Sequence, residues 1–178
     1  MTVPTLGRLF TVPAVTRPDL LGGSVATALA TWRGAGEVGV VEIDPALADT
    51  TAMTVAYELP LNTSVNCVVV AGRRDGQERI AACLIRADTR LDNVVRRALD
   101  VRKASFLPAD RAITLTGMEY GGITPIGLPE QWRVFVDATV VDLDIAVLGS
   151  GVRRSKLLLP GRLIADLPRA ELVSGLAH

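Results

Sequence analysis

The order of apolar and polar positions divides the chain into short segments of alternating helical and extended character. Residues 1–23 are rich in Pro and Gly and read as an extended arm leading to Gly22-Gly23. SVATALATWRG then predicts a short helix with Ser24 as N-cap and Gly34 as its stop. VGVVEID (38–44) predicts a strand, and DTTAMTVAYE (49–58) a helix capped by Asp49 and closed before Pro60. The clearest local pattern is a pair of β-rich apolar runs, VNCVVVAG and ERIAACLIR, on either side of Asp75-Gly76, which is hairpin chemistry. Both runs are apolar at consecutive positions, so 65–71 and 78–86 are expected as adjacent antiparallel strands, covered on both faces, in the centre of a mixed sheet.

Downstream, LDNVVRRALDV (91–101) predicts an amphipathic helix with Arg96 and Arg97 facing out, and FLPADRAITLTG a helical turn or short helix followed by a turn. WRVFVDATVV and DIAVLGSG predict two further strands. RSKLLLPGRLIADLP predicts a strand, a Pro-Gly turn and a last short helix. Strands and helices are interleaved and partly hairpin-linked. The expected fold is therefore α/β: a single domain over 1–178 with a mixed, largely antiparallel central β-sheet flanked by helices.

Composition narrows the function classes. Apolar residues make up 49% and charged residues 21%, which excludes general disorder. Nineteen basic residues balance nineteen acidic ones, so no global field draws the protein onto nucleic acid or membrane. Only Lys103 and Lys156 of the basic set are lysine; local arginine clusters remain available for phosphate contacts. The opening residues are broken by Pro and charge and do not read as a signal peptide, and no apolar run approaches the ~18 residues of a membrane span. Two cysteines, Cys67 and Cys83, are too few for a disulfide framework, so a cytoplasmic location is expected. With a two-residue hairpin loop Cys67 falls opposite Leu84 and the two sulfurs lie on opposite faces as buried structural thiols; a slipped register would bring them together.

Several chemistries are excluded. The only histidine, His178, is the last residue and is expected to fray, which leaves no partner for a serine or cysteine nucleophile and no zinc site. GSGVRR (149–154) lacks the third Gly of a dinucleotide fingerprint, and no cofactor or metal is expected. Asp142 and Asp144, spaced i and i+2 on a predicted strand, resemble a carboxylate pair but read better as solvated strand residues. Arg96-Arg97 and Arg102-Lys103 read as a solvated face, whereas Arg153-Arg154 and Lys156, after a Gly-rich turn, are open to a polyanion contact.

The most unusual segment is TGMEYGGITPIGLP (116–129), with four glycines and two prolines in fourteen residues. Glycine permits close backbone approach and proline rigidifies, so such a loop can present backbone N–H groups to an ester carbonyl, a phosphate or a carboxylate; the plain alternative is a tight surface turn. GGITPIGLP resembles the Gly-Gly-(Val/Ile)-Ser-Pro-(Leu/Phe)-Gly loop of the YbaK-like (YbaK/EbsC) family, which shares its fold with the editing insertion of bacterial prolyl-tRNA synthetases. VFVDATVVD (134–142) resembles that family's strand ending in Asp. LGSGVRRSKLLL (148–159) resembles its Gly-rich turn before a final strand, and RLDNVVRRALDVRKASFLP (90–108) its helix and following segment. The resemblance spans roughly residues 61–170.

What the resemblance implies is hydrolysis, in trans, of the ester joining a wrong small amino acid to the 3′ end of a tRNA of the prolyl type, with an aminoacyl-tRNA synthetase as a further partner. An extra methylene changes binding by only about 1–3 kcal/mol, which is why synthetases need a second sieve. On the family pattern Gly121, Gly122 and Thr124 take catalytic places. Thr116, Gly117, Ile123, Pro125, Gly127, Asp137, Gly149, Ser150, Gly151 and Arg153 take substrate-binding ones. One departure stands out. The family's lysine, in a Phe-Lys-Thr-like run at the start of the first hairpin strand, aligns with Asn66 of Val65-Asn66-Cys67, and Lys103 and Lys156 belong to other segments, where neither is expected to fill the place. Asn donates hydrogen bonds but carries no charge. Two functions follow: an aminoacyl-tRNA deacylase whose nucleophile is water, or a catalytically weakened or silent member that binds aminoacyl-tRNA, a synthetase or a small amino-acid-like ligand.

Overall fold

The computed structural model describes residues 3–178. Among the described residues nine strands form two sheets. The larger is organised by the hairpin β3 (Val65–Arg74) and β4 (Gln77–Arg86), closed by Asp75-Gly76 with φ of 51° and 78°. Its strands are ordered β5 (Ala104–Phe106), β3, β4, β6 (Arg133–Asp137), β9 (Ala170–Val173), with β4 in the middle. β3 pairs antiparallel with β4 and β5, while β4, β6 and β9 run parallel. The consecutive apolar positions of β4 are explained by burial on both sides. Ala82 and Leu84 enter the main core, and Ala81, Cys83 and Ile85 a second core beneath α3 (Val94–Ala98).

The smaller sheet is antiparallel, in the order β1 (Val12–Pro13), β2 (Gly39–Glu42), β8 (Ser155–Leu159), β7 (Ala146–Gly149). Alternation along β8 sends Leu157 and Leu159 into the main core. Leu158 enters a third cluster with Met53, Val147 and Ile43, covered by α2 (Thr50–Ala56). A parallel bridge between Ser64 and Val147, with Val147 N–H donating to the Thr63 carbonyl (2.9 Å), stitches the two sheets together at the start of β3. This seam positions the site described below.

Local departures from the sequence pattern have physical reasons. Helix α1 (Gly23–Thr31) is capped by Gly22 with no side-chain cap bond, so Ser24 lies inside it rather than capping it, and it ends at Trp32, before the expected stop at Gly34. The predicted strand 132–141 ends at Asp137, whose carboxylate accepts the Thr139 N–H and turns the chain into α5 (Ala138–Val141). Asp142 and Asp144 therefore lie outside any strand, both exposed. Helix α4 (Ala109–Thr116) ends at Gly117 in the left-handed conformation, and α6 (Arg162–Ala165) follows β8. The arm is folded onto the body from residue 3 onward, its first two residues lying outside the described chain. Val12–Pro13 pair with β2, and Leu9, Ala14, Leu20 and Leu21 are buried. His178 is held as well, exchanging backbone hydrogen bonds with Arg90 (2.8 and 3.0 Å). Cys67 lies opposite Leu84, and the two cysteines are free, on opposite faces of the sheet.

Candidate functional site

The glycine-rich stretches are laced to each other by backbone hydrogen bonds. Glu119 N–H donates to the Gly151 carbonyl (2.9 Å), Gly151 N–H to the Gly122 carbonyl (2.7 Å), and Gly122 N–H to Glu119 (2.9 Å). Glycine is demanded by this closeness. A Cβ on Gly122 would stand 2.7 Å from the Val152 backbone, and one on Gly149 would stand 2.4 Å from the Gly122 carbonyl oxygen. The Glu119 carboxylate accepts the Arg153 N–H (2.6 Å) and so fastens the turn between β7 and β8, to which its exposed side chain is committed. Ser150 and Ser155 brace the same turn from within: both are fully buried, their hydroxyls lie 2.7 Å apart, and Ser155 Oγ donates to the Leu20 carbonyl (2.5 Å).

Beside this lacing, on the seam between the sheets, lies a cavity of about 350 Å³. Its apolar walls come from Met53 of α2, Val65 and Cys67 of β3, Val147 of β7, and Ile123. Its polar groups are Asn66, Asp49, Arg153, Lys156 and the glycine backbones of Gly121 and Gly149, with Tyr120, 66% exposed, at the mouth. The Ser64 hydroxyl is buried in this wall with no hydrogen-bond partner.

The residues singled out from the sequence divide into two groups. Asn66, Gly121, Ile123, Gly149 and Arg153 meet at the cavity. Gly122 and Gly151 lie behind it, in the backbone lacing. Thr124 is fully buried with an unpartnered hydroxyl, and Pro125 and Gly127 line a different cavity with Trp32 and Leu128. Thr116 Oγ1 donates within its own helix to the Ala112 carbonyl, and Gly117 closes that helix. Asp137 is buried and committed to Thr139 and to the Ala177 N–H (3.1 Å). Ser150 is committed to Ser155, as above.

Lys156, expected from the sequence only as part of a polyanion contact with Arg153-Arg154 and not in the place of the family's lysine, is a member of the site. It is 7% exposed, lines the cavity, and its Nζ donates to the Gly121 carbonyl (3.2 Å). Burial pushes its pKa down to about 8; the positive Arg153 adds to this, and Asp49 acts in the opposite sense. The available signal is a lysine directly followed by three leucines, on a strand that is buried along its whole length. Asp49, expected as the N-cap of α2, is that cap and also faces the cavity. Nucleophilic attack by Cys67 is disfavoured, because burial pushes its thiol far above the ordinary range. No cluster of metal-ligating side chains occurs among the described residues.

Comparison with known proteins places the fold and the family. A 74-residue segment is 32% identical to the proline–tRNA ligase of Listeria monocytogenes serotype 4a (strain HCC23), covering 41% of this chain and 13% of the ligase. The corresponding ligase of Listeria innocua serovar 6a is likewise 32% identical over 74 residues. The chain thus matches only a small part of these relatives' length. Among solved structures, a candidate trans-editing enzyme for prolyl tRNA synthetase superposes with a TM-score of 0.72 at 20% identity, covering 85% of this chain and 93% of the other. A scaffold protein used for epitope backbone grafting gives 0.70 at 21% identity, covering 85% and 94%; both likenesses concern the fold. The family model described as the aminoacyl-tRNA editing domain matches residues 44–167, which contain the hairpin, the glycine lacing and the whole cavity. The chain belongs to the aminoacyl-tRNA editing domain family.

Proposed function

We propose that the chain is a trans-acting deacylase that hydrolyses the ester between a wrong small amino acid and the 3′ end of a prolyl-type tRNA, in the cytoplasm and alongside a synthetase. The observation that carries this reading is the seam cavity. Its volume of about 350 Å³ suits an aminoacyl ester, with apolar walls for a side chain and polar groups converging from Asn66, Gly121 and Gly149. The terminal nucleoside would remain outside the cavity, over the exposed ring of Tyr120.

Chemically, water is the nucleophile. Its oxygen bonds to the ester carbonyl carbon, the bond from that carbon to the ribose oxygen breaks, and a proton passes to the ribose oxygen. The other water proton leaves with the carboxylic acid product and is lost to solvent. Cys67 is held as a thiol, the single histidine does not line the cavity, and the Asp49 carboxylate accepts the Thr51 N–H as the cap of α2 (3.1 Å), so the ribose 2′ hydroxyl of the substrate orients the water. The glycine lacing fixes where the ester sits, which is where such sites obtain most of their rate.

The test is a panel of mischarged tRNAs, each ending in adenosine or in 2′-deoxyadenosine and charged at the 3′ position. Release of a small amino acid from the normal tRNA, with strong loss on the deoxy substrate, is expected. No hydrolysis of any member would refute the activity. Equal hydrolysis of both forms would refute the role of the ribose.

A further inference from the structure

We propose that Lys156, on β8 of the smaller sheet, supplies the positive charge of the editing pocket, so that the cation comes from a different sheet than Asn66 and faces the ester carbonyl during hydrolysis. This inference rests on the deacylase reading above and assigns one of its catalytic groups.

β8 runs Ser155-Lys156-Leu157-Leu158-Leu159 and every residue of it is buried. Lys156 pairs with Val41 of β2 and Gly149 of β7 and shares a strand face with Leu158, whose neighbours are apolar. An apolar side chain of similar length would serve packing there without taking an ammonium out of water. Structural buried charges are normally paired, and Asp137, the other buried charged group, fits that rule with three hydrogen bonds. Lys156 does not. No carboxylate lies within salt-bridge distance among the described residues, and its one acceptor is the Gly121 carbonyl. An ammonium has three donors, so two are left for whatever enters the cavity.

The Gly121 carbonyl also fixes where that ammonium stands. Gly121 belongs to the cavity wall and is held at φ 80° in the glycine lacing, so Lys156 Nζ is tied to the backbone expected to cradle the ester. A positive charge in a small cavity with apolar walls acts on the oxyanion that develops as water attacks, and it does so without giving up its proton. The charged or titratable groups facing it are Asp49 from the start of α2, Arg153 from the β7–β8 turn, Tyr120 from the glycine loop and Cys67 from β3. Asp49 favours the ammonium and Arg153 opposes it. The depressed pKa, about 8, still leaves the ammonium as the main form at neutral pH. The lysine that the family resemblance places on β3 is thus replaced by one reaching the same cavity from β8.

The experiment uses single-turnover deacylation of a mischarged tRNA that the wild type hydrolyses, with Lys156→Met, Lys156→Arg and the double variant Lys156→Met/Asn66→Lys, each checked for folding by circular dichroism. Lys156→Met is expected to lose about 100-fold or more in rate, and Lys156→Arg to keep more activity than Lys156→Met. Asn66→Lys on the Met background is expected to restore at least about tenfold, which a merely structural lysine would not permit. A folded Lys156→Met with the wild-type rate overturns the inference and leaves the deacylase reading standing. If that variant does not fold, the wild-type pH profile decides: enzymatic rate unaffected by titration near pH 8 overturns the proposal. A wild type inactive on every mischarged tRNA refutes the deacylase reading itself, and this assignment with it.

Discussion

The backbone N–H of Arg153 donates to the Glu119 carboxylate at 2.6 Å, so the acid of the glycine loop is spent on holding the β7–β8 turn. On the proposed mechanism, water activation is left to the substrate. Glu119→Gln keeps an acceptor for that N–H and is expected to cost about tenfold at most in deacylation rate. A rate lost to background in a folded Glu119→Gln protein would make the carboxylate a general base.

Gly122→Ala is expected to do more harm. Its methyl would meet the Val152 backbone at 2.7 Å, and backbone does not step aside as a flexible side chain does. The lacing must shift, and a displaced ester loses contacts worth about 100-fold or more. Comparing both variants in the same deacylation assay, alongside thermal melts, checks the ranking.

Tyr120 presents an exposed ring at the cavity mouth. If the terminal base stacks there, Tyr120→Ala raises KM, with a binding loss of about 1–3 kcal/mol, and leaves kcat nearly unchanged. Tyr120→Phe keeps the wild-type value. Steady-state kinetics with both variants decides the point.

Lys156 carries a stability cost whose sign follows from its pKa. Folding lowers that pKa from 10.5 to about 8, so the folded protein holds this proton less tightly than the unfolded chain. The cost is fully present below pH about 8, and stability from this site rises with pH as far as the unfolded value, about 10.5. Its ceiling is about 3 kcal/mol. Lys156→Met is therefore expected to unfold at higher urea than wild type at neutral pH, even as deacylation falls. The enzymatic rate, corrected for hydroxide-driven loss, is expected to fall as pH rises through about 8. Denaturation curves and rates across that range test both statements.

Neither cysteine is expected to react readily. Burial pushes the Cys83 thiol up to about 12 and Cys67 higher, so thiolate is scarce near neutrality. Mass spectrometry after iodoacetamide at neutral pH should find both sulfurs unmodified in the folded protein and alkylated in urea.

The hairpin was legible because its signals agree: β-rich runs, Asp-Gly between them, and continuous apolar positions that only a strand covered on both faces explains. The meeting of Asn66, Gly121 and Gly149 was legible through the resemblance. The roles of Ser150 and Asp137 were not, since a hydroxyl or carboxylate reads the same in sequence whether it faces a ligand or braces a turn. Short β1, β5 and β9 carry two to four residues each, too few for periodicity to register. Lys156 does not stand out in the sequence, because the family's lysine belongs to β3 and adjacency between β3 and β7–β8 exists only once the sheets are stitched at Ser64 and Val147.

That stitching has an evolutionary consequence. A hollow bounded by two separate sheets can receive the same chemical group from either, so a lineage can lose a residue on one wall and regain its equivalent on the other without rebuilding the backbone. Column-by-column comparison would score such a chain as defective. Inspection of the hollow itself would count it as complete.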